Sequence, residues 1–209
     1  MPPYVEDQYD EDAPLLERLR FLITAVPDRI EPIELYGRAA VYAFFVLWGL
    51  SFLRYPVASP ELAGSFMHLI HLPFHEAGHI LLMPTGWSFL ISLGGSVGQV
   101  AFPLICMGAL LLKNRDPFGA SIALWWAGQS FLDMAPYIGD ARALELELLG
   151  GKTGQEVEGH DWEAILGALG WLPYDRALAR LSHVFGICVM LMAMGWGGYV
   201  LWKQYQRVR

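Results

Sequence analysis

The sequence is poor in charged residues, and in basic residues above all. Charged side chains make up 17% of the 209 residues, and the formal net charge is −7, with 14 Lys and Arg against 21 Asp and Glu. Such a chain has no basic face that could neutralise phosphates, which excludes nucleic acid as an expected partner. Because 55% of the residues are hydrophobic, the composition also argues against an ordinary soluble domain.

Cysteine is almost absent. Cys106 and Cys188 both fall inside apolar segments, and we expect them to be small buried residues, not a disulfide or metal ligands. A signal peptide is not expected either. An acidic stretch at residues 6–12 stands where a signal peptide carries positive charge, and no short apolar core with a cleavage site follows it.

The sequence contains several long apolar segments. Five of them could cross about 30 Å of hydrocarbon as helices. They cover residues 38–55, 62–83, 87–112, 118–138 and 181–202. We therefore expect an all-α fold, a polytopic membrane bundle with about five transmembrane helices. The lipid bilayer is then the first expected partner.

The chain divides into an N-terminal arm and a membrane-embedded domain. Residues 1–36 are acidic, and their leucines recur at helical spacing, which predicts an amphipathic segment on the membrane surface. Residues 37–209 form the membrane domain, and its one long polar loop covers residues 139–180. Within this loop, residues 141–149 and 162–169 have the pattern of short helices.

Residues 75–79 read His-Glu-Ala-Gly-His. On a helix, two histidines four residues apart project from one face, where neutral imidazoles can bind Zn²⁺. Zinc lowers the pKa of a bound water to about 7, and a carboxylate beside the first ligand can take the proton of that water. The motif predicts a zinc site with His75 and His79 as ligands and Glu76 as general base. Ionisable residues in an apolar segment are costly unless they pair or bind metal, which strengthens the prediction.

A catalytic zinc site usually has three protein ligands, so a third must come from elsewhere in the chain. The candidates are Asp133, Asp140, His160, Asp161 and His183. The ends of the second and fourth predicted spans lie on one side of the membrane, where Asp140 and the loop carrying His160 also lie. Both remain open as the third ligand. Asp161 is expected to cap the helix that begins near Trp162.

Other polar residues lie inside the predicted spans. His68 and His71 share one side of an ideal helix with the zinc motif, although Pro73 interrupts that helix. We expect both to line a cavity or to have a structural role. Gln129 and Asp133 share a face four residues apart, and Asp133 could accept a hydrogen bond from a ligand histidine.

The zinc motif in an early span, followed by Leu-Asp-Met-Ala-Pro-Tyr-Ile-Gly-Asp at residues 132–140 near the end of a later one, resembles the site-2 protease (M50) family of intramembrane zinc metallopeptidases. In that family the third ligand is an Asp that follows an Asn-x-x-Pro motif. By this resemblance Asp133 takes the Asn position, Pro136 matches the proline and Asp140 is the ligand. The chain departs from the family at Asp133, where Asn is usual, and at Ala141, where Gly is usual, and Asp140 lies one residue closer to Pro136 than in the common pattern.

The resemblance also covers a glycine-rich segment near the family's active site. Gly94, Gly95, Gly98 and Gln99 correspond to it here. Gly94 and Gly98 equally form a G-x-x-x-G pattern, which is typical of closely packed membrane helices. Both interpretations stay open at this point.

The function implied by the resemblance is zinc-dependent hydrolysis of a peptide bond in a transmembrane or membrane-proximal segment of another membrane protein. Zn²⁺ would be the cofactor, and the bacterial inner membrane the location. One alternative is a non-catalytic metal-binding or scaffold subunit that associates with other membrane subunits. Another is a hydrolase with a small or lipid-like substrate.

Overall fold

The computed structural model describes residues 12–57 and 59–208. Within these ranges the chain is helical and contains no β-strand, since the β-type pairs found there are two isolated bridges. The predicted all-α fold is confirmed. Residues 1–11, which hold four of the five acidic residues in the stretch 6–12 of the predicted arm, lie outside the described residues.

Eight α-helices follow one another in the described part of the chain. They are α1 (Leu15–Thr24), α2 (Pro32–Phe52), α3 (Pro60–Ala63), α4 (Phe66–Leu82), α5 (Ser88–Leu112), α6 (Pro117–Gly139), α7 (Asp161–Leu169) and α8 (Asp175–Tyr205). Single 3-10 turns at Met83–Thr85 and Leu172–Tyr174 come just before α5 and α8.

Three stretches of the described chain are long and apolar enough to cross a membrane, which indicates a membrane protein. They are α2, α5 and Leu172–Tyr205, which contains α8. Two further helices, α4 and α6, coincide with the predicted spans 62–83 and 118–138 but are not among these three. With 17 residues, α4 is at the short end of the usual range for a span. The arrangement of five spans stays a prediction.

The chain forms two compact units. The first contains Met1–Ser51, Pro103–Trp126 and Val189–Arg209, and the second contains Phe52–Phe102 and Ala127–Cys188. Three long helices, α5, α6 and α8, contribute residues to both units. The predicted boundary at residue 36 falls inside the first unit.

In the first unit, the C-terminal end of α1 is fastened to α8. Trp196 Nε1 donates a hydrogen bond to the carbonyl oxygen of Ile23, and Lys203 Nζ donates one to that of Thr24, both at 2.7 Å. Carbonyls in the last turn of a helix have no partner within that helix, and a cation there also opposes the negative end of the helix dipole. These bonds hold α1 in place, while its location on a membrane surface stays a prediction.

In the second unit, α4 and α5 approach each other closely at three glycines. A Cβ atom on Gly78 would collide with the backbone of Gly94, and one on Gly98 would collide with the carbonyl oxygen of Phe74. Small residues allow helix backbones to come this close. The packing role of Gly94 and Gly98 is confirmed, and the crossing brings α5 beside the zinc motif of α4.

The segment that follows α6 is not helical. The Asp140 carboxylate accepts hydrogen bonds from the backbone N–H groups of Glu145 and Leu146, both at 3.0 Å. Leu144 has a φ of +56°, which a right-handed helix does not contain. The helix predicted for residues 141–149 is therefore wrong, because the Asp140 side chain takes the backbone donors that a helix would use. The helix predicted for 162–169 is confirmed as α7.

Within the second unit, α6 and α8 also pack through small residues. A Cβ atom on Gly186 would lie 2.6 Å from the carbonyl oxygen of Gly128 and would collide with Leu132. The Ser182 hydroxyl donates a hydrogen bond to the carbonyl oxygen of Phe131 at 2.7 Å. These contacts fix the part of α6 that carries the functional side chains described below.

Gly186→Ala should lower the thermal unfolding temperature in detergent, because the new methyl group meets a backbone carbonyl that cannot turn away. Overpacking of this kind costs about 1–3 kcal/mol. Gly195→Ala is the matched control on the same helix, since a Cβ there meets nothing within 4 Å. Equal unfolding temperatures for the two variants would contradict the packing described.

Candidate metal centre

The zinc motif lies on α4. This helix begins after Ser65, whose hydroxyl accepts a hydrogen bond from the backbone N–H of His68 at 3.2 Å, and it continues through Pro73 to Leu82. The imidazole rings of His75 and His79 lie with their centroids 4.8 Å apart. The spacing of four residues has placed both rings on one face, as predicted.

Asp161, the first residue of α7, completes a group of three ligating side chains. Its Oδ2 atom lies 3.1 Å from His75 Nε2 and 3.2 Å from His79 Nε2. Each of the three side chains offers one ligating atom, and these atoms all lie within 4.8 Å of one another. Among the described residues, they are the group of His, Cys, Asp or Glu side chains that meets this condition. Two imidazole nitrogens and one carboxylate oxygen therefore converge on a single point.

The hydrogen bond of His79 determines which of its two ring nitrogens can direct a lone pair at the point where the three side chains converge. Its Nδ1 atom lies 2.7 Å from the carbonyl oxygen of Ile91. A carbonyl oxygen only accepts, so Nδ1 carries the proton and Nε2 of the neutral ring presents a lone pair to Asp161. At 3.2 Å this lone pair and the carboxylate oxygen need a positive charge between them, which either a proton on Nε2 or a metal ion supplies. The donor set thus fits a metal ion.

Gly95 of α5 provides the space for such an ion. A Cβ atom on this glycine would lie 2.6 Å from His79 Nε2 and would collide with His75 Nε2. The absence of a side chain at this one position leaves the point of convergence free. Close approach without a Cβ is the physical reason for a glycine here.

Tyr137 of α6 holds Asp161 in place. The Tyr137 hydroxyl accepts a hydrogen bond from the backbone N–H of Asp161 at 2.9 Å and lies 3.4 Å from its Oδ2 atom. Burial raises the pKa of the Asp161 carboxyl, but the hydrogen bonds from His75 and His79 outweigh it, and the net direction is downward. Asp161 is thus a carboxylate, the form that binds a cation.

The structure brings neither Asp140 nor His160, the two predicted third ligands, into this group. Asp140 is occupied by the backbone of the following turn, as described above. His160 caps α7: its Nδ1 atom accepts a hydrogen bond from the backbone N–H of Glu163 at 3.2 Å, and its Nε2 atom lies 3.5 Å from Asp140 Oδ2. Their positions support α7 and the loop, and so support Asp161 indirectly.

A cavity of about 520 Å³ lies in the second unit beside this centre. Glu76 lines it together with His75, His79 and Asp161. The rest of the wall combines apolar, polar and acidic residues, which are Ala63, His68, His71, Leu72, Ile91, Gln99, Asp133, Met134, Tyr137, Leu146, Glu147, Leu148, Leu149, Val157, Glu158 and Gly159. The predicted base and the converging ligands thus face one space, and its volume is within the range typical of ligand sites.

His68 and His71 line the cavity, as expected of them, and both approach Asp133. His68 Nδ1 lies 3.1 and 3.2 Å from the two carboxylate oxygens, and His71 Nδ1 lies 3.2 Å from Oδ2. Asp133 and Gln129 are both buried, in agreement with the predicted inward face of α6. Asp133 therefore belongs to a polar cluster beside the metal centre.

The sequence placed Asp161 among five candidates for the third ligand but favoured a helix cap for it, and it gave Tyr137 and Gly95 no role at the metal. A signal for Asp161 was present in the unusual Gly-His-Asp-Trp at residues 159–162. Asp161 lies more than eighty residues after the zinc motif in the sequence, and no local pattern indicates that the loop folds back to this motif.

Comparison with models of protein families, with curated proteins and with solved structures found no match for this chain. The resemblance to site-2 proteases therefore rests on the motif residues alone.

Gly95→Ala should abolish metal binding while α5 stays helical, because the added methyl group would fill the point where the three ligating atoms meet. We expect zinc affinity to fall by more than the 10–100-fold typical of changes around a set of ligands. Zinc titration of the metal-free protein measures this. Gly108→Ala is the control on the same helix, since a Cβ there meets nothing within 4 Å. Full zinc binding by the Gly95 variant would exclude the site.

Two variants test which carboxylate binds the metal. Asp161→Ala changes the residue that the structure places beside the histidines, and Asp140→Asn changes the residue predicted from the sequence. The first removes a ligating oxygen and should reduce zinc affinity by at least about 100-fold. The second changes the contacts of Asp140 with Glu145, Leu146 and His160, none of which belongs to the converging group, so it should keep most of the affinity. The opposite ranking would return the role of third ligand to Asp140.

Proposed function

We propose that the protein is a membrane-embedded zinc-dependent peptidase that hydrolyses a peptide bond in a transmembrane or membrane-proximal segment of another membrane protein. The observation that carries the proposal is the convergence of His75, His79 and Asp161 on one point beside Glu76 in a cavity. The similarity of the zinc motif and residues 132–140 to site-2 proteases supports the peptide bond as the target.

The donor set favours zinc over harder cations. Two imidazole nitrogens and one carboxylate oxygen are ligands that zinc accepts, whereas Mg²⁺ and Ca²⁺ prefer oxygen alone. With three protein ligands, one position of a tetrahedral site is left for water or substrate. A bound Zn²⁺ would supply two effects there, a lower pKa of water and polarisation of the substrate carbonyl.

Glu76 is the general base of the proposal. It directly follows the first ligand on α4 and lines the same cavity. Its carboxylate accepts a proton from the water whose oxygen attacks the scissile carbonyl carbon. As the C–N bond breaks, Glu76 returns this proton to the leaving nitrogen, so that the carboxylate is regenerated.

The substrate has to present an unwound segment. In a helix each peptide carbonyl is bonded to an N–H group four residues on and is surrounded by side chains. Attack on the carbonyl carbon requires that this bond opens locally. Apolar side chains on the loop, among them Leu146, Leu148, Leu149 and Val157, line the cavity. They are suited to the aliphatic side chains of a membrane segment.

The proposal includes a multi-pass protein of the bacterial inner membrane with five spans, α2, α4, α5, α6 and α8. Support for α4 and α6 as spans comes from their match to two of the five apolar segments. The N-terminal helix α1 would lie on the membrane surface: its apolar residues Leu15 and Leu16 are 70% and 78% exposed, a face that favours the lipid boundary.

Glu76→Gln should abolish hydrolysis while the protein still binds zinc with unchanged stoichiometry, because the amide cannot accept the proton but does not touch the ligands. The measurements are zinc content and cleavage of membrane-protein substrates, read by trapping partners on the inactive variant with a crosslinker. Glu147→Gln, the same chemical change at another residue of the cavity wall, is the matched control and should retain activity.

Two outcomes would contradict the proposal. A Glu76→Gln variant with its full cellular function would point to a non-catalytic metal-binding subunit. Crosslinking of the variant to lipid alone would point to a hydrolase with a lipid-like substrate.

A further inference from the structure

The second unit contains a buried polar network behind the candidate metal centre. It runs from His68 and His71 through Asp133 and Gln99 to His75, and so connects α4, α5 and α6. We propose that Gln99 and Asp133 are positioning residues that hold His75 in the one tautomer able to bind a metal through Nε2. This inference rests on the proposed metal centre, but its test does not depend on hydrolysis.

The orientation of the Gln99 amide is decided by its partners. Its Nε2 atom donates to Asp133 Oδ2 at 2.8 Å and lies 3.4 Å from the carbonyl oxygen of Ser130. A carbonyl oxygen only accepts, so a flipped amide would set two oxygens against each other at this point. The amide nitrogen therefore faces α6, and Oε1 faces the other way.

The Oε1 atom of Gln99 lies 3.3 Å from His75 Nδ1. Because an amide oxygen accepts and cannot donate, this contact forms only when Nδ1 carries the proton. The lone pair of the neutral ring is then on Nε2, the atom that faces Asp161 at 3.1 Å. A flipped Gln99 would favour the opposite tautomer, with a proton pointing at the position of the metal.

Asp133 is the anchor of the arrangement. Its side chain is 3% exposed, and each of its oxygens lies within about 3.2 Å of a histidine Nδ1 atom. Ser130 adds a second tie, since its hydroxyl lies 3.2 Å from both His71 Nε2 and the carbonyl oxygen of Gln99. A carboxylate held in this way offers Gln99 only acceptors. The buried Asp133 carboxylate thus determines the orientation of the Gln99 amide, and the amide in turn determines which nitrogen of His75 carries the proton.

The experiment uses the complete metal-free protein in detergent, with ¹⁵N-labelled histidine. We expect Nδ1 of His75 in the unmodified chain to be protonated, as reported by its ¹⁵N shift, while Nε2 can share a proton with Asp161 as long as no metal is bound. In Gln99→Leu the acceptor for the Nδ1 proton is gone, so a fraction of the His75 rings should lose the proton on Nδ1. Zinc affinity should fall by about 10–100-fold, the range typical for loss of a partner behind a ligand.

Two controls distinguish positioning from general disturbance. His79 is an internal control, because its Nδ1 proton is bonded to the carbonyl oxygen of Ile91 and should stay in place. Gln129→Leu removes another fully buried glutamine of the same unit, one that does not line the cavity. It should leave both the His75 tautomer and the zinc affinity unchanged.

Asp133→Asn serves as a second variant if Gln99→Leu does not fold. Its amide can turn a donor toward Gln99, which frees the glutamine to flip, so a fraction of the His75 rings should again lose the proton on Nδ1. The proposal is overturned if His75 keeps its proton on Nδ1 in either folded variant, or if the His79 tautomer changes equally. If the unmodified chain does not bind zinc, the proposed function is contradicted, whereas the result on the His75 tautomer remains valid.

Discussion

Three acceptor atoms that face one another inside an apolar protein have to be balanced by positive charge. The lone pair of His79 Nε2 and the carboxylate of Asp161 lie 3.2 Å apart, and His75 Nε2 approaches the same oxygen at 3.1 Å. In a medium of low dielectric constant this arrangement needs positive charge, which a proton on an imidazole or a metal ion supplies. The missing side chain at Gly95 leaves space at this point, and the start of α7 brings the Asp161 carboxylate to it.

The glycine on α4 that allows α4 and α5 to approach closely lies between the two histidines of the zinc motif. Gly78 lies inside the zinc motif and meets Gly94 on α5, so that the residue next to Gly94 faces both histidines. A larger residue at Gly78 would separate the helices and would also move the backbone that carries His79. Packing and ligation are therefore not independent here, and the two interpretations of the glycine-rich segment are both needed.

Residues predicted as ligands have a different role nearby. Asp140 holds the turn after α6, and His160 caps α7, whose first residue is the ligand Asp161. The resemblance to site-2 proteases points to Asp140, but in this chain the Asp140 side chain bonds to the backbone that follows it. The carboxylate that the structure places beside the two histidines is that of Asp161.

Much of the fold and half of the site followed from the sequence. Apolar length determined the helices, and the four-residue spacing determined that His75 and His79 share a face, because both depend only on the geometry of one helix. Tertiary structure alone decided which carboxylate lies beside the two histidines, the space at Gly95 and the path from Asp133 through Gln99 to His75. Those contacts join residues 16 to 86 positions apart, and no local pattern encodes which of several buried carboxylates will meet a given nitrogen.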